Sequence, residues 1–428
     1  MKSIISKVRV LALAAFAAVA AVYPMATMAK VGAWLYEALV DQVARPMRDG
    51  FVAGSNTLTS LVPDLYEALD VVSRELVGLI PSVTLDASAE RAALNQAVRV
   101  PIAPAAAAED VTPGQLPPDD GDQNIGNNPL TITKSRTVPF RWTGEEQKGV
   151  NSGPGYANIR RNQIAQAFRT LTNEIETFVG GLAVSTSRAW GTAGTTPFAS
   201  DLSDPAQVRK ILSDNGAALS DLQLVIDTTA GAKVRSLAQL TKANEAGTTE
   251  LRAQGTLLEL HGFNVRESAG VNAHTSGTGA SYVTNGALAK GATSIPVQTG
   301  SGTVLAGDVV SFGDGYKYVV ASALSGGAFT IAAPGLMKAV NTGTAVVVAA
   351  GFTANMGFAR SAIVLATRAP ALPEEGDMAD DRIMLTDPRS GLAFEVAMYK
   401  QYRRVRYEVS IAYGAANIKP EHTALLLG

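Results

Sequence analysis

Apolar positions along this chain follow two rhythms, and the change from one to the other divides the sequence. From Pro63, the residues Leu65, Leu69, Val72, Leu76 and Leu79 step by four, three, four and three, with Glu67, Asp70, Arg74 and Glu75 on other faces. That spacing predicts one amphipathic helix, with proline in its first turn and Pro81 at its end. A stronger stripe follows Gly155: Tyr156, Ile159, Ile164, Ala167, Phe168, Leu171, Ile175, Phe178, Val179 and Leu182 share one side, and Arg160, Gln166, Arg169, Asn173 and Glu176 lie mostly off it. About seven turns at about 1.5 Å per residue make a rod roughly 40 Å long, the proportions of a strut.

Between these helices the pattern breaks. Val98 to Leu130 carries Pro101, Pro104, Pro113, Pro117 and Pro118 and the acidic run Asp119-Asp120-Gly121-Asp122. Such a stretch is poor core material and predicts an extended excursion. Its far side, Thr131 to Trp142, alternates like a strand, and Pro139 points to a sheet edge. The expected shape is a long two-legged hairpin projecting from the body.

Downstream, a helix is expected from an Asp204-Pro205 cap, with Val208, Ile211 and Leu212 as its apolar face. A buried strand, Leu222 to Ile226, and a further helix, Ala232 to Leu240, complete an α+β unit with a mixed sheet. Then the rhythm changes. From about Gly270 to Phe352 the only charged residues are Lys290, Asp308, Asp314, Lys317 and Lys338. Short strands at Ser294 to Gln298, Val309 to Phe312, Tyr316 to Ala321, Ala328 to Ala332 and Ala345 to Ala349 are separated by glycine turns. This predicts an inserted antiparallel β barrel or sandwich that folds by itself. The α+β unit resumes at Ser361 to Ala366 and ends in a strand whose Val405, Tyr407, Val409, Ile411 and Tyr413 face one side.

Composition narrows the function. The 428 residues exceed what one small core needs, so two or three structural units are expected. A formal net charge of −2, with 17% charged residues, argues against a broad phosphate-neutralising face. There is no cysteine, which excludes disulfides and thiolate chemistry. His261, His274 and His422 are scattered, without metal-ligand spacing. Lys2, Lys7 and Arg9, the apolar run Val10 to Val22 and the small residues Ala26 to Ala29 have the three parts of a secretory signal. No later stretch is long enough and apolar enough to span a membrane.

Two charged clusters are candidates for contact chemistry. Glu374, Glu375, Asp377, Asp380 and Asp381 sit beside Pro373 and Gly376 without the order of a calcium loop; they read as a solvated loop or as one leg of an intersubunit salt bridge. Lys400, Arg403, Arg404 and Arg406 are interleaved with Tyr399, Tyr402 and Tyr407, a pattern open to DNA contact, to subunit contact or to plain solvation of an outer strand face. Gly277-Thr278-Gly279 and Gly313-Asp314-Gly315 open no helix and read as turns, and no nucleophile elbow accompanies His261. No catalytic, cofactor or metal site emerges.

The order of arm, loop, strut, α+β unit and inserted β domain resembles the coat proteins of short-tailed phages, which share the Hong Kong 97 capsid fold with an extra inserted domain. Local wording is similar too: Leu171-Thr172-Asn173-Glu174-Ile175-Glu176, Val225 to Gly231, and Ala366 to Gly391 with its Pro-Glu-Glu-Gly-Asp-Met core. The resemblance covers about Asn56 to Gly428. It implies an α+β major capsid protein, not an enzyme, with an N-terminal arm at 56–96, an extended loop at 97–152 and a spine helix with peripheral domain at 153–200. An axial domain would comprise 201–269 and its second part within 353–428, a segment that also supplies peripheral strands, with the insert at 270–352 between them. Residues 1–29 would be a signal-like or upstream extension and 30–55 a linker. Implied partners are further copies in pentamers and hexamers, a scaffolding protein, a portal and packaged double-stranded DNA, with no cofactor and no membrane. Assembly in the bacterial cytoplasm is implied as well. The rival readings are an exported surface-layer or adhesin-like β protein, which the signal-like start favours, and a hydrolase without visible active residues.

Overall fold

The computed structural model describes residues 65, 67, 68, 77–102, 113, 114, 126–150, 156–237, 259–387 and 390–428. The signal-like run, the 30–55 linker and most of the loop's outer part lie outside the described residues. All described residues belong to the unit Leu61–Gly428.

Of the helix expected from Pro63, Leu65, Glu67 and Ala68 are helical, and most of the remainder lies outside the described residues. Its last stripe member is not helical: Leu79 precedes a separate short turn, Ile80–Ser82, which Pro81 opens rather than ends. Proline's fixed φ and missing N–H suit a first turn as well as a stop. Strand β1 (Thr84–Ala92), which sequence reading did not anticipate, follows. The excursion is a hairpin at its base, with β2 (Ala97–Ile102) antiparallel to β3 (Gly126–Thr131). Then come β4 (Lys134–Thr143), a short helix α1 (Gly144–Val150) and the strut α2 (Tyr156–Gly180).

The strut's 25 residues span about 38 Å. Its buried stripe is Ile164, Ala167, Phe168, Leu171, Ile175 and Val179, as the periodicity requires. Arg160 and Glu176, expected off the stripe, are buried as well.

The second half supplies β5 (Arg188–Trp190), α3 (Ser203–Asp214), β6 (Leu222–Ile226), α4 (Thr228–Ser236), β7 (Glu259–Leu260), β8 (Phe263–Glu267) and β9 (Ala273–His274). The Asp204-Pro205 cap is corrected: α3 begins at Ser203, and the Asp204 carboxylate instead accepts the Phe198 N–H at 2.7 Å. Helix α4 starts at Thr228, earlier than expected, because Asp227 caps it by accepting the N–H groups of Thr229 and Ala230. It ends at Ser236; residues 238–240 lie outside the described residues.

The insert contributes β10 (Tyr282–Thr284), β11 (Ser294–Gln298), β12 (Val309–Ser311), β13 (Lys317–Ser325), β14 (Ala328–Ile331) and β15 (Ala345–Val348). Their antiparallel pairings run β12-β15-β10-β11-β14-β13 and return to β12, so the strands close as a barrel. Ile295, Val297, Val310, Phe312, Tyr318, Val320, Phe329, Ile331 and Val346 fill it, joined by Val304, Leu336 and Val340 from the turns. Closure removes the exposed edges that a short sandwich would leave. The barrel is also bonded to the body: β13 pairs with β5, Tyr318 opposite Arg188.

The chain ends with β16 (Phe352–Ala359), β17 (Ile363–Pro370), β18 (Asp381–Thr386), β19 (Ala393–Gln401), β20 (Arg404–Asn417) and β21 (Thr423–Leu427). Two sheets organise the body. One runs β5-β21-β16-β6-β8-β7, mixed as expected, with the core of α3 and α4 on it. The other is built on β20, which pairs with β4, β19 and β17; β1 lies parallel to β17 and β18 antiparallel to β19.

Strand alternation assigns the faces of this second sheet. Tyr407, Val409, Ile411 and Tyr413 are buried on one face, where Phe168 and Phe178 of α2 meet Phe394 and Tyr413. Ala412, Val364 and Ala366 belong to the other face, and the hairpin base packs there through Leu130, Val98 and Val100. The loop's base is therefore core, contrary to the expectation from its composition: Val98, Val100 and Leu130 at its ends pack against the sheet.

Candidate assembly surface

The two charged clusters of the sequence meet in space. Strands β19 and β20 form a tight hairpin with Tyr402 and Arg403 at its turn, and Arg403 adopts a φ of 56°. The acidic loop lies along β19. Lys400 pairs with Asp380 at 2.7 Å, and Arg382 pairs with Asp377. Tyr399 donates its hydroxyl to Asp377 at 2.9 Å, and the Asp380 N–H bonds the Met398 carbonyl at 2.8 Å. Burial opposes ionisation of Asp377, but the Ala379 N–H, the Tyr399 hydroxyl and Arg382 outweigh it and hold its carboxyl below the usual range.

These contacts engage Lys400, Asp377 and Asp380 within the chain. Arg406 pairs with its strand neighbour Glu408 at 2.5 Å. Arg403, Arg404, Glu374 and Glu375 are exposed and form no ion pair among the described residues. Asp381, at the start of β18, is half-buried. Beside them Tyr402 is 90% and Met378 86% exposed, more than any other large apolar side chain described. Exposed residues of this kind are the ordinary material of a protein contact.

Sequence reading missed a member of the basic group. Arg141 on β4 lies opposite Arg406 on β20, on the sheet face away from the strut. With Pro139, Phe140, Gln401, Arg404 and Arg406 it lines a hollow of about 270 Å³. The signal was available: Arg141 follows Pro139 in the strand alternation, so it shares the outer face. Helix α1, also missed, is announced by Thr143-x-x-Glu146. The Thr143 N–H donates to Glu146 at 2.7 Å and the Glu146 N–H to the Thr143 hydroxyl at 3.2 Å.

Two buried polar groups hold the segments together. Glu176 on α2, 3% exposed, accepts the consecutive N–H groups of Gly78, Leu79 and Ile80 at 2.7, 2.6 and 2.9 Å, and the Ser268 hydroxyl. Arg188 on β5 donates from Nη2 to the Ile211 carbonyl at the end of α3 and to Asn215 at 2.8 Å. Its guanidinium lies over the Tyr316 ring of the barrel, 5.5 Å from the centroid. Burial pulls its pKa below the ordinary arginine value, against the pull of Asp214. A cavity of about 510 Å³ opens beside it, lined by Trp190, Lys210, Asp214, Tyr316 and Lys317 among others. The Arg188 Nε and Nη1 atoms are shut off from solvent, so this cavity does not reach its spare donors.

None of these groups forms a catalytic constellation, and among the described residues no three His, Asp or Glu side chains gather to hold a metal. No helix of the described residues is long and apolar enough to cross a membrane.

No protein-family model and no curated protein sequence matches the chain. Solved structures do align with it. One, titled Mycobacterium phage Che8, is 14% identical over 78% of this chain and 84% of its own, with a TM-score of 0.42. The capsid structure of the cyanophage P-SCSP1u is 11% identical, covering 81% and 86%, with a TM-score of 0.44. The asymmetric unit of the bacteriophage PhiM1 mature capsid is 12% identical, covering 82% and 86%, with a TM-score of 0.41.

Proposed function

We propose that the chain is a structural subunit of the icosahedral shell of a tailed bacteriophage or prophage, a major capsid protein that encloses double-stranded DNA and catalyses nothing. The observation that carries this reading is the order of parts around one sheet. A first strand, a two-legged hairpin and an edge strand precede the strut; the strut covers one face of the β20 sheet and the hairpin base covers the other. A hairpin whose base is anchored and whose 103–125 stretch is proline-rich and acidic is suited to reach a neighbouring copy, because it has little to bury at home. The residue wording at 171–176, 225–231 and 366–391 supports the same reading.

In finer detail, the β20 sheet with α2 is the peripheral domain and spine of a Hong Kong 97 type subunit. The β6 and β16 sheet is the axial domain, 270–352 the inserted domain, 56–96 the arm and 97–152 the extended loop. Copies assemble as pentamers and hexamers on a scaffolding protein around a portal in the bacterial cytoplasm, and the inner face meets packaged DNA. Arg403 and Arg404, with Lys400 and Arg406 beside them, and the acidic residues Glu374 and Glu375 serve contacts between subunits; Asp377, Asp380 and Asp381 shape the loop that presents those acids.

The exported surface-protein reading is separated from this one by cell fractionation with N-terminal sequencing of the expressed full chain. A cytoplasmic, particle-bound product supports the shell. A chain cleaved after Ala29 and recovered outside the cytoplasm would overturn it.

A further inference from the structure

We propose that Glu176 and Ser268 form a receptor for the backbone at Gly78–Ile80, and that this latch is what positions the arm on the strut. A carboxylate inside an apolar stripe is costly unless its oxygens are fully engaged. Here both oxygens accept, Oε1 from three donors and Oε2 from one, and three of the four donors are consecutive main-chain N–H groups of one segment. With that segment lifted away, the Ser268 hydroxyl would be the one donor left to a buried charge. The arm is therefore either seated, with Glu176 satisfied, or released, with water admitted to the strut; intermediate placements are disfavoured.

Close backbone approach makes the seat specific. A Cβ on Gly78 would come within 2.8 Å of the Glu267 carbonyl oxygen, and one on Gly270 within 2.6 Å of the Glu176 Cγ. One on Gly180 would lie 2.5 Å from the Gly270 carbonyl oxygen. Gly78 thus meets the end of β8, and Gly180 meets Gly270, main chain to main chain, while Gly270 lies against the Glu176 side chain, and a side chain at any of the three points would disturb the seat. The seat lies just before β1, whose parallel pairing to β17 begins at Thr84 opposite Val364. Glu176 fixes where that strand starts. Glu176 is a positioning residue, and the recognised ligand is a run of backbone donors rather than a side chain.

The effect on assembly rests on the shell reading above; the latch itself does not. Hydrogen exchange of the full-length chain, read by mass spectrometry, is the test. In the unmodified protein the Leu79 and Ile80 amides should be protected, comparably to β6. Glu176→Gln keeps the shape but leaves one acceptor oxygen and turns an N–H toward donors. Exchange at Leu79 and Ile80 should rise at least about tenfold while β6 and β20 are unchanged. Glu176→Asp, too short to reach all three amides, should fall between. Electron microscopy of the same variants reads the second half: Glu176→Gln should give aberrant or open particles where the unmodified chain closes shells.

Unprotected Leu79 and Ile80 amides in the unmodified chain, or protection unchanged by Glu176→Gln, would overturn the latch, and the first of these needs no variant to fold. Faster exchange with normal shells would overturn its role in assembly. An unmodified chain that forms no particles would remove the shell reading and leave the exchange result to decide the latch.

Discussion

Gly414 sits where the second leg of the hairpin crosses the β20 sheet, and substituting it probes whether that crossing matters. A Cβ built there would lie 2.1 Å from the Thr131 carbonyl oxygen, 2.9 Å from its carbonyl carbon and 3.0 Å from the Ile132 Cα. All three are main-chain atoms, so no rotamer change relieves the contact. Ordinary contact begins at 3.4 Å, so the leg must lift by about 1.3 Å in Gly414→Ala. Leu130 and Ile132, 1% and 0% exposed, would be levered off Ala366 and Ala412. Overpacking of this kind costs about 1–3 kcal/mol, a lowering of the thermal midpoint of roughly 1–4 °C for a unit of this size. The strut packs on the opposite face of this sheet, through Phe178 and Tyr413, so the monomer should stay folded by circular dichroism while particle yield collapses. Gly144→Ala is the control, with nothing within 4 Å of its Cβ. A Gly414→Ala chain with unchanged midpoint and normal particles would refute the argument that the hairpin is held by main-chain contact.

Three further outcomes follow from the same geometry. Replacing residues 103–125 by a short Gly/Ser turn should leave circular dichroism and midpoint nearly unchanged but stop assembly, as read by light scattering; normal particles would show that the loop does not reach a neighbour. The isolated barrel 272–352 should give dispersed amide signals and a cooperative transition. A version starting at Ser276 should melt lower, because it leaves buried Asp308 without His274, 2.8 Å away. For Asp377, whose pKa is depressed in the folded state, the stabilisation is present above the ordinary aspartate value of about 3.9 and is lost as pH falls through the folded value. Protection of the 376–381 amides, taken relative to their intrinsic exchange rate at each pH, should therefore fall on acidification below about pH 4 and stay constant from about pH 5 to 8.

The sequence made legible what repeats with a period. The strut, the barrel strands and the shared apolar face of Tyr407, Val409, Ile411 and Tyr413 follow from alternation and stripe alone, because burial selects apolar residues at every turn or every second residue. What it hid depends on single polar groups and on pairing partners far along the chain. Strand β1 carries Asp86, Ser88, Glu90 and Arg91 and reads as loop; it is a strand because β17, nearly 280 residues later, offers an edge and because Arg368 reaches back to Asp86 at 2.9 Å. The barrel's attachment through β5 was equally invisible, since Arg188-Ala189-Trp190 is too short to carry a pattern. In the candidate surface, the charged residues were found by their clustering, but their pairing was not: Lys400 meets Asp380 across a turn and a strand. Glu176 reads as lying off the apolar stripe, and its burial follows from the Gly78–Ile80 amides and Ser268, partners far along the chain that periodicity does not reveal.

The central claim is tested most directly by electron microscopy of the expressed full chain. The account predicts closed polyhedral shells of uniform diameter, built from rings of five and six copies. A product that remains monomeric by light scattering, and shows no shells or sheets in the micrographs, would contradict it.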